Sequence, residues 1–132
     1  WPDKKFVITN VIVSQKFLKE HPDVVEAVLR GTVNTNAWIN ANPDKAKASA
    51  NARLKADSGK ELDAKVLDPA WQSILVTDDP LATTLKTESD WAVKAKLLDQ
   101  PDLTGIYDLT LLNKVLKTAG KPEVTDAGLG AK

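Results

Sequence analysis

The chain has 132 residues and a mass of 14.3 kDa, with 42% hydrophobic and 27% charged residues. That is one domain's worth of sequence and too apolar for intrinsic disorder. Lys and Arg (18) balance Asp and Glu (18), so no net field draws the chain to nucleic acid or an anionic membrane. It has no Cys and one His, which excludes disulfides, thiolate metal sites, cysteine nucleophiles and multi-His metal sites, and no run of about 18 apolar residues spans a bilayer.

Residues 5–14, Lys5-Phe6-Val7-Ile8-Thr9-Asn10-Val11-Ile12-Val13-Ser14, are mostly apolar and rich in β-branched types. Such a run reads as a strand buried on both faces. The only other strand candidate is 74–77, Ile74-Leu75-Val76-Thr77. Two short strands do not make a stable sheet, so the first needs neighbours from a second copy or from a larger protein. The expected fold class is therefore α/β: two short strands and about five helices.

The pattern then turns helical. Phe17-Leu18-Lys19-Glu20 leads into His21-Pro22-Asp23, where Pro suits a first turn and Asp complements the helix dipole. Val25, Val28, Leu29, Thr32, Val33, Asn36 and Ala37 recur at helical spacing, to about Asn40. Asn42-Pro43-Asp44 opens a second helix with Asn42 as N-cap, whose Ala- and Lys-rich body ends at Asp57-Ser58-Gly59. With Leu54 its one large apolar residue, that helix is expected at the periphery. A third helix starts near 61–63 and carries Val66, Leu67, Ala70 and Trp71, with Pro69 set to kink or shorten it. Asp79-Pro80 is expected to open a fourth, which bears Leu81, Leu85, Trp91, Ala92, Ala95 and Leu98. A fifth runs from about Asp108, with Leu109, Leu112, Val115 and Leu116 on one face and Gly120 as its stop. Trp38, Trp71 and Trp91 are expected as packing anchors. Residues 124–132, Gly- and Ala-rich and without period, read as a flexible tail. The sequence lacks Met and opens on Trp1-Pro2-Asp3, which leads us to expect a trimmed or truncated chain with any signal peptide upstream.

Few residues suggest chemistry. His21 has no triad-like partner in the sequence and reads as a polar turn residue. Asp57, Glu61, Asp63 and Asp68 lack the tight, turn-forming spacing of a hard-cation loop and read as solvated surface. At Asp78-Asp79 one carboxylate caps a helix, and the other either does nothing further or faces a cleft at the helix start. Thr9 and Asn10 interrupt an apolar strand; they mark a bulge or strand end, or they present a hydroxyl and an amide to a ligand. No glycine-rich phosphate loop is present, and Lys alternates with Ala rather than with aromatics, so there is no stacking platform for nucleic acid.

Read in order, several segments carry a resemblance. They are Trp1-Pro2-Asp3, then 6–13, then Lys16-Phe17-Leu18-Lys19-Glu20-His21-Pro22-Asp23-Val24-Val25, then Trp38-Ile39-Asn40-Ala41-Asn42-Pro43. Asp79-Pro80-Leu81-Ala82 and Pro101-Asp102-Leu103-Thr104-Gly105-Ile106-Tyr107-Asp108-Leu109-Thr110-Leu111-Leu112-Asn113 follow. The series resembles the carboxy-terminal part of solute-binding proteins of the aliphatic sulfonate/nitrate/taurine class of ABC importers, from Trp1 to about Val124. The resemblance implies two α/β lobes of the type II periplasmic-binding-protein kind, closing on a ligand about hinge strands. Residues 1–123 would then supply a hinge strand (about 5–14) and the helices of one lobe, the remainder lying in a missing N-terminal portion of the same protein.

On this resemblance the partners are a small sulfonate-like anion and an ABC permease in the membrane, with no nucleic acid, no cofactor and no metal. The location is periplasmic or extracellular, with a lipid anchor if the upstream signal is of that kind. Family members hold oxyanions with hydroxyls, amides, backbone N–H groups and helix N-termini. That makes Thr9 and Asn10 the first ligand-binding candidates and Thr77 and Asp78 the second. The family usually has an aromatic residue near Asp78; an acidic one repels an anion and favours an amine-bearing ligand such as taurine. An enzyme of the thiamine-precursor-synthesis relatives would need a His- and Cys-rich site, which is absent from this sequence. The alternative from another class is a freestanding helical interaction domain that dimerises through its exposed N-terminal strand.

Overall fold

The computed structural model describes residues 4–130. Six helices follow in chain order: α1 (Gln15–Glu20), α2 (Pro22–Ala41), α3 (Pro43–Ser58), α4 (Ala64–Gln72), α5 (Ala82–Lys94) and α6 (Thr110–Thr118). The chain forms two compact units, one of Trp1–Gly31 with Asp79–Lys132 and one of Thr32–Asp78.

The α/β expectation is corrected: among the described residues there is no strand and no sheet. Residues 5–14 leave the helical region and make no ladder with any described residue. Ile8 is 77% exposed and Ile12 90%. A β-branched run specifies what can pair; it does not supply the neighbour that accepts the pairing. The second expected strand fails for another reason. Asn40 Nδ2 donates to Val76 O (3.1 Å) and Asn36 Nδ2 to Thr77 O (3.2 Å), so these carbonyls are taken by side-chain amides of α2 rather than by a ladder. The one β-type contact among the described residues is an isolated parallel bridge between Tyr107 and Gly130.

The unit of Trp1–Gly31 and Asp79–Lys132 contains α1, the first half of α2, α5 and α6. Ser14 caps the start of α1, its Oγ accepting from Phe17 N (3.1 Å), and α1 separates from α2 at His21, where Pro22 disfavours helical backbone. Helix α5 opens two residues later than Asp79-Pro80 predicts. Asp79 Oδ1 accepts from Leu81 N (2.8 Å), a tight turn that puts Leu81 at φ 52, and the helix starts at Ala82. Helix α6 ends as expected: Gly120 (φ 68) lets Lys121 N reach Leu116 O (2.9 Å) while Gly120 N bonds Lys117 O (3.1 Å). Among the described residues of this unit, Val25, Ala82, Thr84, Ser89, Val115 and Leu116 are buried. Trp91, expected as an anchor, is 44% exposed.

The expected flexible tail is held within the same unit as far as it is described. Asn113 Nδ2 donates to Val124 O (3.0 Å) and Val124 N donates to Asn113 Oδ1 (2.8 Å), so one side chain pairs a backbone segment as a neighbouring strand would. Glu26 of α2 accepts from Lys114 of α6 (2.6 Å) and from Arg30 (3.0 Å). The Lys114 hydrogen bond is the main reason the Glu26 carboxyl lies below its ordinary value.

The unit of Thr32–Asp78 contains the second half of α2, α3 and α4, with Val33 and Ala46 buried. Trp38, also expected as an anchor, stays 47% exposed. Asn42 stands at the α3 cap position, but its amide donates back to Trp38 O (3.0 Å) and so closes α2 instead of opening α3. Gly59 (φ 76) ends α3, with its N–H on Lys55 O (2.8 Å). Asp63 Oδ1 accepts from Lys65 N (2.8 Å) and starts α4, a nine-residue helix that includes Pro69.

Candidate functional site

Thr9 and Asn10 lie in the non-helical segment 5–14 of the first unit, and both are exposed. They are neutral hydrogen-bonding side chains set between Ile8 and Val11, themselves 77% and 58% exposed.

Thr77 and Asp78 close the second unit and are described there by themselves. The Asp78 carboxylate accepts from Asn36 Nδ2 (2.8 Å), the same nitrogen that donates to Thr77 O. Asn36 and Asn40, one turn apart on α2, thus fasten residues 76–78 through their amides. Sequence periodicity places Asn36 on the packing face of its helix; it gives no hint that its partner is the 77–78 backbone and carboxylate.

The second unit also holds an open cleft of about 750 Å³, lined by α3 (Lys47, Asn51), the 59–63 turn and α4 (Leu67, Asp68). Its polar groups serve one another. Lys47 Nζ donates to Asp68 Oδ1 (2.6 Å), the first cause of the rise in the Lys47 pKa. Asn51 pairs both backbone groups of Leu62, donating to its O (3.0 Å) and accepting from its N (2.8 Å). Glu61 accepts from Lys55 (3.1 Å). Asp57, which the sequence groups with these acids, pairs instead with Arg53 along α3 (2.8 Å). No group of three His, Cys, Asp or Glu among the described residues is arranged to hold a metal ion.

In the first unit three polar atoms are buried with no hydrogen-bond partner: Glu88 Oε1, Ser89 Oγ and Tyr107 Oη. Burial is the main cause that pushes the Tyr107 phenol up, and the carboxylates of Glu88 and Asp79 add to it. Tyr107 is therefore a neutral donor. Sequence reading missed this group, because a lone Tyr and an adjacent Glu-Ser pair carry no motif. His21, exposed at the end of α1, packs its ring on Phe17 (centroids 4.9 Å apart).

No helix among the described residues is long and apolar enough to cross a membrane. Compared with known proteins, the chain matches no family model, no curated protein and no solved structure.

Proposed function

We propose that this chain is the carboxy-terminal portion of an extracytoplasmic solute-binding protein, one that captures a small sulfonate-like anion and delivers it to an ABC importer. The observation that carries the reading is the position of Thr9 and Asn10. The ordered series of segments resembling that class assigns this stretch to the hinge, and both residues are exposed on non-helical backbone there. Two further features support it. Residues 5–14 are non-helical, with Ile8, Val11 and Ile12 exposed. The Thr9 hydroxyl and the Asn10 amide are neutral groups, and neutral donors hold a sulfonate without the desolvation of a buried ion pair.

In this reading the Thr9 hydroxyl, the Asn10 amide and nearby backbone N–H groups donate to the sulfonate oxygens. Thr77 and Asp78 are secondary candidates, because the Asp78 carboxylate already receives the Asn36 amide. The protein performs no chemistry on its cargo. Closure about the ligand presents a surface to the permease.

The test is calorimetric titration of the protein expressed from its complete coding region. Taurine, ethanesulfonate and ethylamine separate the two ends of the ligand. The reading expects both sulfonates to bind and ethylamine not to bind. Binding of ethylamine without binding of either sulfonate overturns it.

A further inference from the structure

The first unit carries a small cleft that solute capture at Thr9 and Asn10 does not use. It has a volume of about 160 Å³ and is lined by Lys86, Ser89 and Asp90 of α5 together with Gln100, Leu103 and Leu129. All of these residues belong to the one compact unit. Ser89 sets this cleft apart from the larger one in the second unit, whose polar groups serve one another. It is 8% exposed, and its Oγ is buried with no hydrogen-bond partner. A hydroxyl on a helix has a ready acceptor in the carbonyl one turn back. Thr84 and Thr87 of the same helix use it, donating to Leu81 O (2.8 Å) and Thr83 O (3.4 Å). Ser89 does not, and an unsatisfied buried hydroxyl is uncommon enough in folded proteins to call for a reason. The Gln100 carboxamide, which lines the cleft from the segment after α5, also makes no hydrogen bond to a described residue.

Charge selects the occupant. Residues 86, 89 and 90 share one face of α5, and Lys86 Nζ donates to Asp90 Oδ2 (2.8 Å). The two side chains are 64% and 51% exposed, and an exposed pair of this kind contributes little, so it parts readily. A lone anion or a lone cation that enters the pair leaves one partner without its counter-charge. A zwitterion brings both charges and leaves neither partner unpaired. Because Lys86 and Asp90 meet directly, the two charges of the ligand must stand close together, as they do on a single α-carbon. The volume is that of about five waters, which limits the ligand to a few non-hydrogen atoms. Leu103 and Leu129 suit a short apolar side chain on it.

We propose that this cleft binds a small α-amino acid that parts the Lys86–Asp90 pair. The ligand's carboxylate takes the Lys86 ammonium and the Ser89 hydroxyl as donors, and its own ammonium donates to Asp90. The Gln100 carboxamide, which offers both a donor and an acceptor, completes the polar contacts.

The test is a titration of the nitrogen-15-labelled complete gene product with L-alanine, propionate and ethylamine, followed through its amide NMR spectrum. Saturable shifts are expected at Ser89, Asp90 and Gln100 with L-alanine and not with propionate or ethylamine at the same concentration. Ser89→Ala should weaken L-alanine binding about ten-fold, the loss of one hydrogen bond to a charged group. It should not lower the urea midpoint, because the hydroxyl it removes makes no bond in the fold. No saturable shift at these amides, equal shifts with propionate or ethylamine, unchanged L-alanine affinity in Ser89→Ala, or a lowered urea midpoint overturns the proposal. L-alanine carries no sulfonate, and Ser89→Ala leaves Thr9 and Asn10 intact, so this proposal and the sulfonate reading fail separately.

Discussion

Replacing Asn113 with Ala tests whether a side chain can stand in for a strand. Asn113 makes two bonds to the Val124 backbone, at 2.8 and 3.0 Å, in a part-buried position. Each hydrogen bond contributes about 1 kcal/mol net, and more where the abandoned backbone group is cut off from water. Ala is the better helix former by up to about 0.7 kcal/mol, which offsets part of the loss. The expected net cost is roughly 1.5 kcal/mol. Asn51 provides an internal control, because it makes the same two bonds to Leu62 at 2.8 and 3.0 Å but in an exposed setting. There water replaces the lost partner and the helix gain cancels most of the deficit, so Asn51→Ala should lie within about 0.5 kcal/mol of the wild type. Native-state amide exchange suits the comparison, since the Val124 and Leu62 amides are themselves the donors and each reports its own unit. Asn113→Asp keeps the acceptor for Val124 N–H but turns a carboxylate towards Val124 O, and should recover no more than half the loss. Equal effects at the two positions, or unchanged exchange at Val124 in Asn113→Ala, would refute the reasoning.

Three more outcomes are expected. Leu116 is 1% exposed, so Leu116→Ala should cost about 2.7–5 kcal/mol by urea unfolding; a loss below about 1 kcal/mol would mean that the site is not packed. Lys96 holds a positive φ of 59 where Leu97 N reaches back to Ala92 O (2.9 Å), the place glycine usually takes at a helix end, so Lys96→Gly should stabilise by about 0.5 kcal/mol rather than destabilise. The Glu26 carboxyl lies below its ordinary 4.5, chiefly through the Lys114 hydrogen bond. A carboxyl held low in the folded state adds stability that is complete above its unfolded value and lost as pH falls through its folded value. Urea midpoints of the wild type should therefore drop more steeply than those of Lys114→Met between about pH 5 and about pH 3, and parallel curves would contradict this.

The helices were legible where local chemistry decides them. Pro22-Asp23 and Pro43-Asp44 announce α2 and α3, and Gly59 and Gly120 stop α3 and α6 through a backbone conformation that side chains disfavour. One boundary moved because a side chain competed with the helix, Asp79 taking the Leu81 amide; α3 starts at Pro43 as expected, although the Asn42 amide turns back to Trp38 instead of capping it. The strands were misread because pairing is not local. Residues 5–14 have the composition of a strand without a described neighbour, and the carbonyls of 76–77 belong to Asn40 and Asn36. Four Asn side chains (36, 40, 51 and 113) bond backbone groups 11 or more residues away, and nothing in the sequence names those partners, even for Asn36, which periodicity places on a packing face. Thr9 and Asn10 stand out in the sequence as polar breaks in an apolar run, whereas Tyr107, Ser89 and Glu88, with their buried polar atoms, carried no pattern at all.

The account turns on Thr9 and Asn10 as sulfonate ligands. The most direct measurement is the taurine dissociation constant of the complete gene product beside its Asn10→Ala and Thr9→Val variants, with Asn34→Ala, an exposed position on α2, as control. Losing one hydrogen bond to a charged group should weaken binding about ten-fold in each of the first two and leave the control unchanged. Wild-type affinity in both Asn10→Ala and Thr9→Val would contradict the account.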